Sequence, residues 1–578
     1  MSLFKLPKTK GDENWREMML KYMEYCFYKH DSREIYNYYL DSKLDYLKTI
    51  LCNDLQYKDG GVYEIVEPGF KYINNVTMNI LATSTIILLK KYEPNIRELH
   101  GKKFDTTKFY DVTKRVFIGY DSRPDSRGFV EIIARVFFHR GFIVHVAPDP
   151  VVEPFVSFMA SSPIYTTGIF ITGGMNSEKY SGFQVYLEDG CPLTEKLEKK
   201  LNEIIKFRIH TPITENLEIE CFNFMLQVKI FMTNFPLIFK TYFHEFFNRS
   251  ISVAHNIVTI YCFKKEFRTF LEVGIKHFGL IGTVHFYPYK NIQDPYLGDC
   301  SLLDESRLRA SGITTYAEKS GSKLILLLGF EGKRCQVLYS AKNKWVKAKS
   351  SHVATMFMHW FQNIAFSASK QYITTWNIDN LTSISAMRYK TRFVKIPVNS
   401  RKPSDWLCLR RKDENRMFHT LFFDEKDQFM IHSGIMPSAL QIATFITGMA
   451  QFDKIHVILD KIKNEFGPFS MFKMLYFTDN INETIKKLEN ILSIRGKEIK
   501  ISHQMYCINF NNNTTLYIQP RNQYIIIRIY IRGIENPNKF EIIDKIKLEL
   551  FDDNFNHVLW PFSSNKTNIK TMNFRELN

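Results

Sequence analysis

Ile169-Phe170-Ile171-Thr172-Gly173-Gly174-Met175-Asn176-Ser177 decides the fold. Gly168 to Ile171 is a short apolar run with no polar alternation, which predicts a strand buried on both faces. It breaks into a turn of small residues. Tyr180-Ser181-Gly182-Phe183-Gln184-Val185-Tyr186 resumes on the far side. Upstream, Arg115 to Tyr120 reads as a strand. Gly128 to Arg140 then reads as a helix closed by Gly141, and Phe142 to Ala147 as a second strand. Strand, helix and strand at this spacing form a βαβ unit and require a parallel sheet.

Farther out, residues 12–52 carry helix-like apolar spacing at Met18, Met19, Tyr22 and Met23, and Asn75 to Tyr92 predicts a long helix. The theme recurs downstream. Ile313 to Ser320 reads as helix, Leu324 to Leu328 as an apolar strand, and Thr355 to Phe366, Ser438 to Met449 and Asp453 to Phe466 as helices before Gly467-Pro468. The last hundred residues change character. A helix at Ile481 to Leu492 precedes strands at Met505 to Phe510, Thr515 to Gln519 and Tyr524 to Ile531, an α+β pattern. No short solenoid-type repeat is present, and the recurring α/β units point to several similar layers.

The chain has 578 residues, too many for one hydrophobic core, so three to five domains are expected. Hydrophobic residues at 45% and aromatics at 15% supply packed cores and argue against extended disorder. The formal net charge of +17 is spread along the sequence. The tightest basic cluster, Arg410-Arg411-Lys412, is followed at once by Asp413 and Glu414. With no RNA-binding aromatic signature and no zinc-finger spacing, nucleic acid is not the expected partner. Nine scattered cysteines without a C-x-x-C pair fit a reduced compartment. Met1 to Trp15 lacks an apolar signal core, and Val76 to Leu89 is broken by Asn79, Thr83, Ser84 and Thr85. The expected location is the cytoplasm, without membrane association.

The segment 169–186 resembles the nucleophile loop of the α-phosphohexomutase superfamily, written T-A-S-H-N-P and then N-G-x-K-V-Y. The resemblance runs firmly to about residue 190 and more loosely beyond. It is closest to the phosphopentomutase and glucose-1,6-bisphosphate synthase-like phosphoglucomutases. It implies a four-domain architecture of three α/β mixed-sheet domains and a C-terminal α+β domain. The expected divisions are an N-terminal helical extension at 1–50 and domains at 51–210, 211–345, 346–468 and 469–578. It also implies phosphate transfer between sugar hydroxyls by way of a phosphoserine, assisted by Mg2+.

The functional positions depart from that pattern. Gly174 stands where the family has its serine and Met175 where it has its histidine; neither side chain can carry a phosphoryl group. Leu55 to Tyr63 resembles L-x-F-G-T-A-G-L-R, and Tyr63 replaces the phosphate-gripping arginine. Ile118-Gly119-Tyr120-Asp121-Ser122-Arg123 with Ser126 matches I-G-Y-D-x-R-x-x-S closely, a motif that mainly organises its loop. The metal loop D-P-D-A-D-R aligns with Gly329-Phe330-Glu331-Gly332-Lys333-Arg334, where Glu331 alone keeps an acid and Lys333 brings a cation. A divalent ion at about 4 Å from an ammonium meets repulsion on the order of 8 kcal/mol at an effective dielectric of about 20. The sugar loop aligns with Phe422 to Gln428, keeping Asp424 and Glu425. The phosphate loop aligns with Gln519 to Arg528, keeping Arg521 and Arg528 without the glycine nest; Pro520 offers no amide hydrogen.

The resemblance therefore implies a phosphomutase-like protein without phosphoryl transfer, with a structural, interaction or phosphosugar-sensing role and no cofactor. Arg123, Asn176, Asp424, Glu425, Arg521 and Arg528 are the candidate sugar-phosphate contacts. The protein partner is unidentified. The alternative is an active isomerase of carbohydrate metabolism, an intramolecular phosphotransferase with its phosphoacceptor moved to Ser177 or Thr172. Mg2+ would then be held by Glu331 and a neighbouring acid. No P-loop, H-E-x-x-H or G-x-S-x-G motif is present. His244-Glu245, His352 and His359 have no metal-ligand partners at useful spacing.

Overall fold

The computed structural model describes residues 13–26, 29–99, 114–162, 164–174, 176, 178–210, 256–262, 265–277, 279–280, 283–288, 305–329, 331–342, 344–362, 370–375, 378, 381–396, 419–431, 438–467, 469–477, 486, 499–502, 505–511, 514–520 and 524–532.

Three helices come first: α1 (Glu13–Tyr25), α2 (Lys29–Leu40) and α3 (Leu44–Cys52). Their apolar side chains, among them Trp15, Met18, Tyr22, Ile35, Leu47 and Ile50, belong to the same core as the first sheet. Tyr22 meets Phe70 edge-on with ring centroids 5.1 Å apart. Gly69 sits at φ +113°, where a Cβ would stand 2.8 Å from the Ile50 carbonyl oxygen; only glycine fits against α3 there. The described helices of the segment 13–52 thus pack on the first domain.

That domain contains β1 (Gly61–Ile65), α4 (Asn75–Leu99), β2 (Arg115–Tyr120), α5 (Ser126–His139), β3 (Ile143–Val146), α6 (Glu153–Ala160), β4 (Thr167–Ile171), β5 (Tyr180–Leu187) and α7 (Glu195–Ile209). Asn74 starts α4 by a reciprocal cap. Its Oδ1 accepts from Thr77 N at 3.0 Å, and its own N–H donates to Thr77 Oγ1 at 2.9 Å. The sheet order is β1-β5-β4-β2-β3. β2 runs parallel to β3 and β4, while β5 runs antiparallel to β4 and β1.

The second domain repeats the scheme with β6 (Val258–Cys262), α8 (Lys265–His277), β7 (Val284–Phe286), α9 (Glu305–Ser311), α10 (Ile313–Lys319), β8 (Leu324–Leu328), β9 (Cys335–Ala341) and β10 (Lys344–Ala348). Its order is β10-β9-β8-β6-β7, again parallel at β7, β6 and β8 and antiparallel from β8 to β9. The boundary expected at residue 345 falls inside β10, which pairs with β9, so this unit continues through Ala348. All five side chains of β8 are buried, and such side chains stabilise by about 1.5–3 kcal/mol each.

The third domain has α11 (Ser350–Gln362), β11 (Lys370–Thr375), α12 (Leu381–Arg388), β12 (Arg392–Ile396), β13 (His419–Phe423), β14 (Phe429–Ile431), α13 (Ala439–Phe452) and α14 (Ile455–Phe466). Its order β12-β11-β13-β14 repeats the parallel trio and the antiparallel return. The fourth sheet is antiparallel throughout: β15 (Phe469–Phe477), β19 (Tyr524–Arg532), β18 (Thr514–Pro520), β17 (Met505–Asn511) and β16 (Ile499–Ser502), in that spatial order. Apart from Lys486, the helix expected at 481–492 lies outside the described residues. Among the described residues no helix is long and apolar enough to cross a membrane.

Candidate functional site

The strand orders put three loops at one topological position. Residues 172–179, 329–334 and 424–428 each join the last parallel strand of a domain to its antiparallel return.

In the first loop, Met175 and Ser177 lie outside the described residues. Thr172 is fully buried. Its hydroxyl donates to Asp121 Oδ2 at 2.7 Å and accepts from Gly174 N at 3.0 Å and Arg123 Nη1 at 3.3 Å. The candidate phosphoacceptor Thr172 is thus a buried hydroxyl with three hydrogen-bond partners. Arg123 is 5% exposed. It forms a buried ion pair with Asp121, and its Nη2 donates to the carbonyls of Gly174 at 3.0 Å and Asn176 at 2.8 Å. Arg123, a candidate sugar-phosphate contact, is here the post around which the loop is wound. Asn176 joins it through the main chain. Asp121 Oδ1 also accepts from Ser126 Oγ at 2.7 Å, tying the loop to the start of α5.

Gly173 has no room for a side chain, since its Cβ would stand 2.5 Å from the Tyr180 oxygen and 2.8 Å from Arg123 Cζ. Gly174 has φ +60°, and its Cβ would meet the Tyr63 ring at 3.3 to 4.0 Å. The Tyr63 ring thus lies against Gly174. The Tyr63 hydroxyl accepts a hydrogen bond from Gln184 Nε2, and burial, then the nearby Glu153 charge, raises its pKa well above the usual tyrosine value.

Gln184 leads inward to Glu153, a carboxylate in the first turn of α6. Glu153 accepts from Gln184 Nε2 at 3.2 Å, from the Tyr186 hydroxyl, and from Lys333 of the second domain by an ion pair. None of Glu153, Gln184 and Tyr186 stood out as a site residue in the sequence. The available signal was Glu153 itself, the one ionisable residue in the apolar helix Glu-Pro-Phe-Val-Ser-Phe-Met-Ala.

The second loop closes on itself through Gly329 N to the Arg334 oxygen at 2.8 Å and Gly332 N to the Gly329 oxygen at 3.0 Å. Glu331 is 3% exposed and pairs with Arg334 Nε at 2.9 Å. Mg2+ requires several hard oxygen donors in near-octahedral array. Here the single carboxylate is already paired with a guanidinium, and an ammonium follows two residues later. The residues do not fit the ion. Among the described residues no group of three or more His, Cys, Asp or Glu side chains could hold a metal.

In the third loop Asp424 Oδ1 accepts from Lys426 N at 2.9 Å and Gln428 N at 3.0 Å. Burial pushes its carboxyl up to about 6, against the pull of Lys426 and the turn amides. Glu425 Oε2 lies 3.5 Å from the Tyr530 hydroxyl on β19. Asp427 accepts from Ser350 Oγ at 2.7 Å and lies 3.4 Å from Lys347 Nζ. Of the fourth-loop candidates, Arg521 lies outside the described residues. The Arg528 backbone pairs with Lys473 and Tyr517 inside β19, so it belongs to a strand rather than a turn.

Residues 93–209 match the sequence pattern of the phosphoglucomutase/phosphomannomutase alpha/beta/alpha domain I. Human phosphopentomutase is 23% identical over 170 residues, which are 28% of this chain and 24% of that protein. A Staphylococcus aureus phosphoglucomutase is 32% identical over 91 residues, 16% of each chain. The curated relatives are thus matched over a quarter of their length or less. A phosphoglucomutase/phosphomannomutase family protein from Burkholderia thailandensis superposes with a TM-score of 0.59 at 12% identity, covering 86% of this chain and 96% of that one. Residues 93–209 are thus similar to domain I of the phosphoglucomutase/phosphomannomutase family, and over most of its length the chain shares the fold of the Burkholderia protein.

Proposed function

We propose that this protein is a phosphomutase homologue that has given up phosphoryl transfer and serves as a structural or interaction component, or as a phosphosugar sensor. One observation carries the reading: the Tyr63 ring packs where a side chain at Gly174 would project. Phosphoryl transfer works by positioning the phosphate and stabilising its charge. Gly174 has no acceptor atom, and a side chain there would lie in contact with the Tyr63 ring. The enclosed Arg123 and the cationic second loop support the same conclusion, because neither offers the open donors or the metal that the reaction uses.

The test is turnover by the purified full chain. Glucose 1-phosphate and ribose 1-phosphate are each supplied with glucose 1,6-bisphosphate and Mg2+. No conversion above the protein-free rate is expected. Robust conversion abolished by a substitution in residues 172–177 would overturn the proposal. Thermal-shift measurements with the same sugars then separate the roles. A shift independent of Mg2+ supports sensing; no shift with any of them supports a scaffold acting on protein partners.

A further inference from the structure

We infer that the loop 329–334 is an ionic brace that fastens the first domain to the second and third, with the Lys333 ammonium as its central tie. Among its described residues, one side chain and several main-chain groups of the loop reach a neighbouring domain. Lys333 pairs with Glu153 of the first domain, and Glu153 N donates to the Glu331 oxygen at 3.2 Å. Gly332, at φ +80°, would place a Cβ 2.7 Å from Val152 Cβ, so the two domains meet there at backbone distance. Toward the third domain, Ala439 N donates to the Gly332 oxygen at 2.8 Å and Cys335 N to the Asp427 oxygen at 3.0 Å, and Arg334 bridges Gln428.

The tie is buried. The Glu153 side chain is 2% exposed and the Lys333 side chain 17%. A carboxylate so enclosed keeps its charge only with partners, and it has three in Lys333, Gln184 and Tyr186. Gln184 also reaches the Tyr63 hydroxyl. The brace is therefore continuous with the ring that covers Gly174.

The inference stands independently of the functional proposal. Turnover would overturn that proposal and leave the brace intact.

The experiment compares the full-length protein with Glu153→Gln, Lys333→Met and the double variant, by thermal denaturation and by amine acylation followed by mass spectrometry. Each single substitution strands a buried polar partner, and the first unfolding transition is expected to fall by about 6 °C or more. The double variant is expected to fall by clearly less than the sum of the two. Strict additivity, or single variants that melt like the parent, would overturn the brace. Labelling of the parent protein decides the matter even where a variant fails to fold. Lys333 is expected to react far more slowly than the exposed Lys344 and Lys454, and equal rates would overturn the inference. Millimolar Mg2+ or a chelator is expected to leave the melting curve unchanged, and a Mg2+-dependent rise would return the loop to metal binding and overturn the brace.

Discussion

The loops at 172–176 and 329–334 leave equivalent strands of equivalent sheets, yet they are held in opposite ways. The first is wound inward on Arg123, whose guanidinium joins a carboxylate and two carbonyls of its own domain. The second turns outward, and its Lys333 ammonium and its main-chain carbonyls reach across to two neighbours. The same topological turn therefore serves either as the internal seam of one domain or as a joint between several. The difference lies in where Arg123 and Lys333 find their anions. Asp121 sits two residues from Arg123, whereas Lys333 finds its partner in another domain.

The largest effect that would sharpen this contrast is Arg123→Met. It leaves the buried Asp121 carboxyl without its cation, and the expected loss is about 3–5 kcal/mol. Hydrogen exchange should report it inside the first domain while the second stays protected. A loss spread evenly over both domains would break the distinction. Next comes Gly182→Ala, whose added carbon would stand 2.1 Å from the Val62 oxygen and 2.6 Å from the Thr172 oxygen. The β1–β5 pair must then part, at a cost of about 1–3 kcal/mol in chemical denaturation.

Gly174→Ser is milder. A left-handed backbone disfavours serine by about 1–2 kcal/mol, and the Tyr63 ring meets the new side chain. Mass spectrometry after incubation with glucose 1,6-bisphosphate is expected to find no phosphate on residue 174. Phosphate there would mean the ring moves aside readily.

The smallest effect is a pH dependence. Glu198 accepts from Gly60 N at 2.7 Å, and burial raises its carboxyl from 4.5 to about 7. The folded protein therefore holds this proton more tightly than the unfolded chain. The stability it contributes is full below pH 4.5, declines as pH rises toward 7, and is flat above. Glu198→Gln keeps an acceptor for Gly60 and is expected to remove that slope from melting temperatures measured across the range. An unchanged slope would assign it to another group, such as Asp424.

Much of this was legible in the residues. Arg115–Tyr120 and Leu324–Leu328 are strands at the bounds that their apolar runs predicted, because continuous burial leaves a continuous signature. The three C-terminal strands also emerged within a residue or so. Val258–Cys262 and Lys370–Thr375, the central strands of two domains, were not read. Five or six residues of mixed polarity without Gly or Pro at their ends carry too little periodicity to declare themselves. Gly174 and Lys333 could be weighed from identity alone, since a glycine has no acceptor and an ammonium repels a metal. The joining of residues 63, 153, 184 and 333 could not be read. They come from distant parts of the chain, and only tertiary packing brings a tyrosine, an acid, an amide and an amine into one network.

The Tyr63 ring lying over Gly174 has a consequence in terms of competition. A group tethered by its own chain is present at an effective concentration of roughly millimolar or higher. On the proposed sensing role, a sugar phosphate directed to this position would compete with an occupant that never diffuses away, and its apparent affinity would fall in proportion to how completely the ring holds the place. Unless such a ligand also pulls the ring aside with contacts of its own, the protein would respond to abundance rather than to traces.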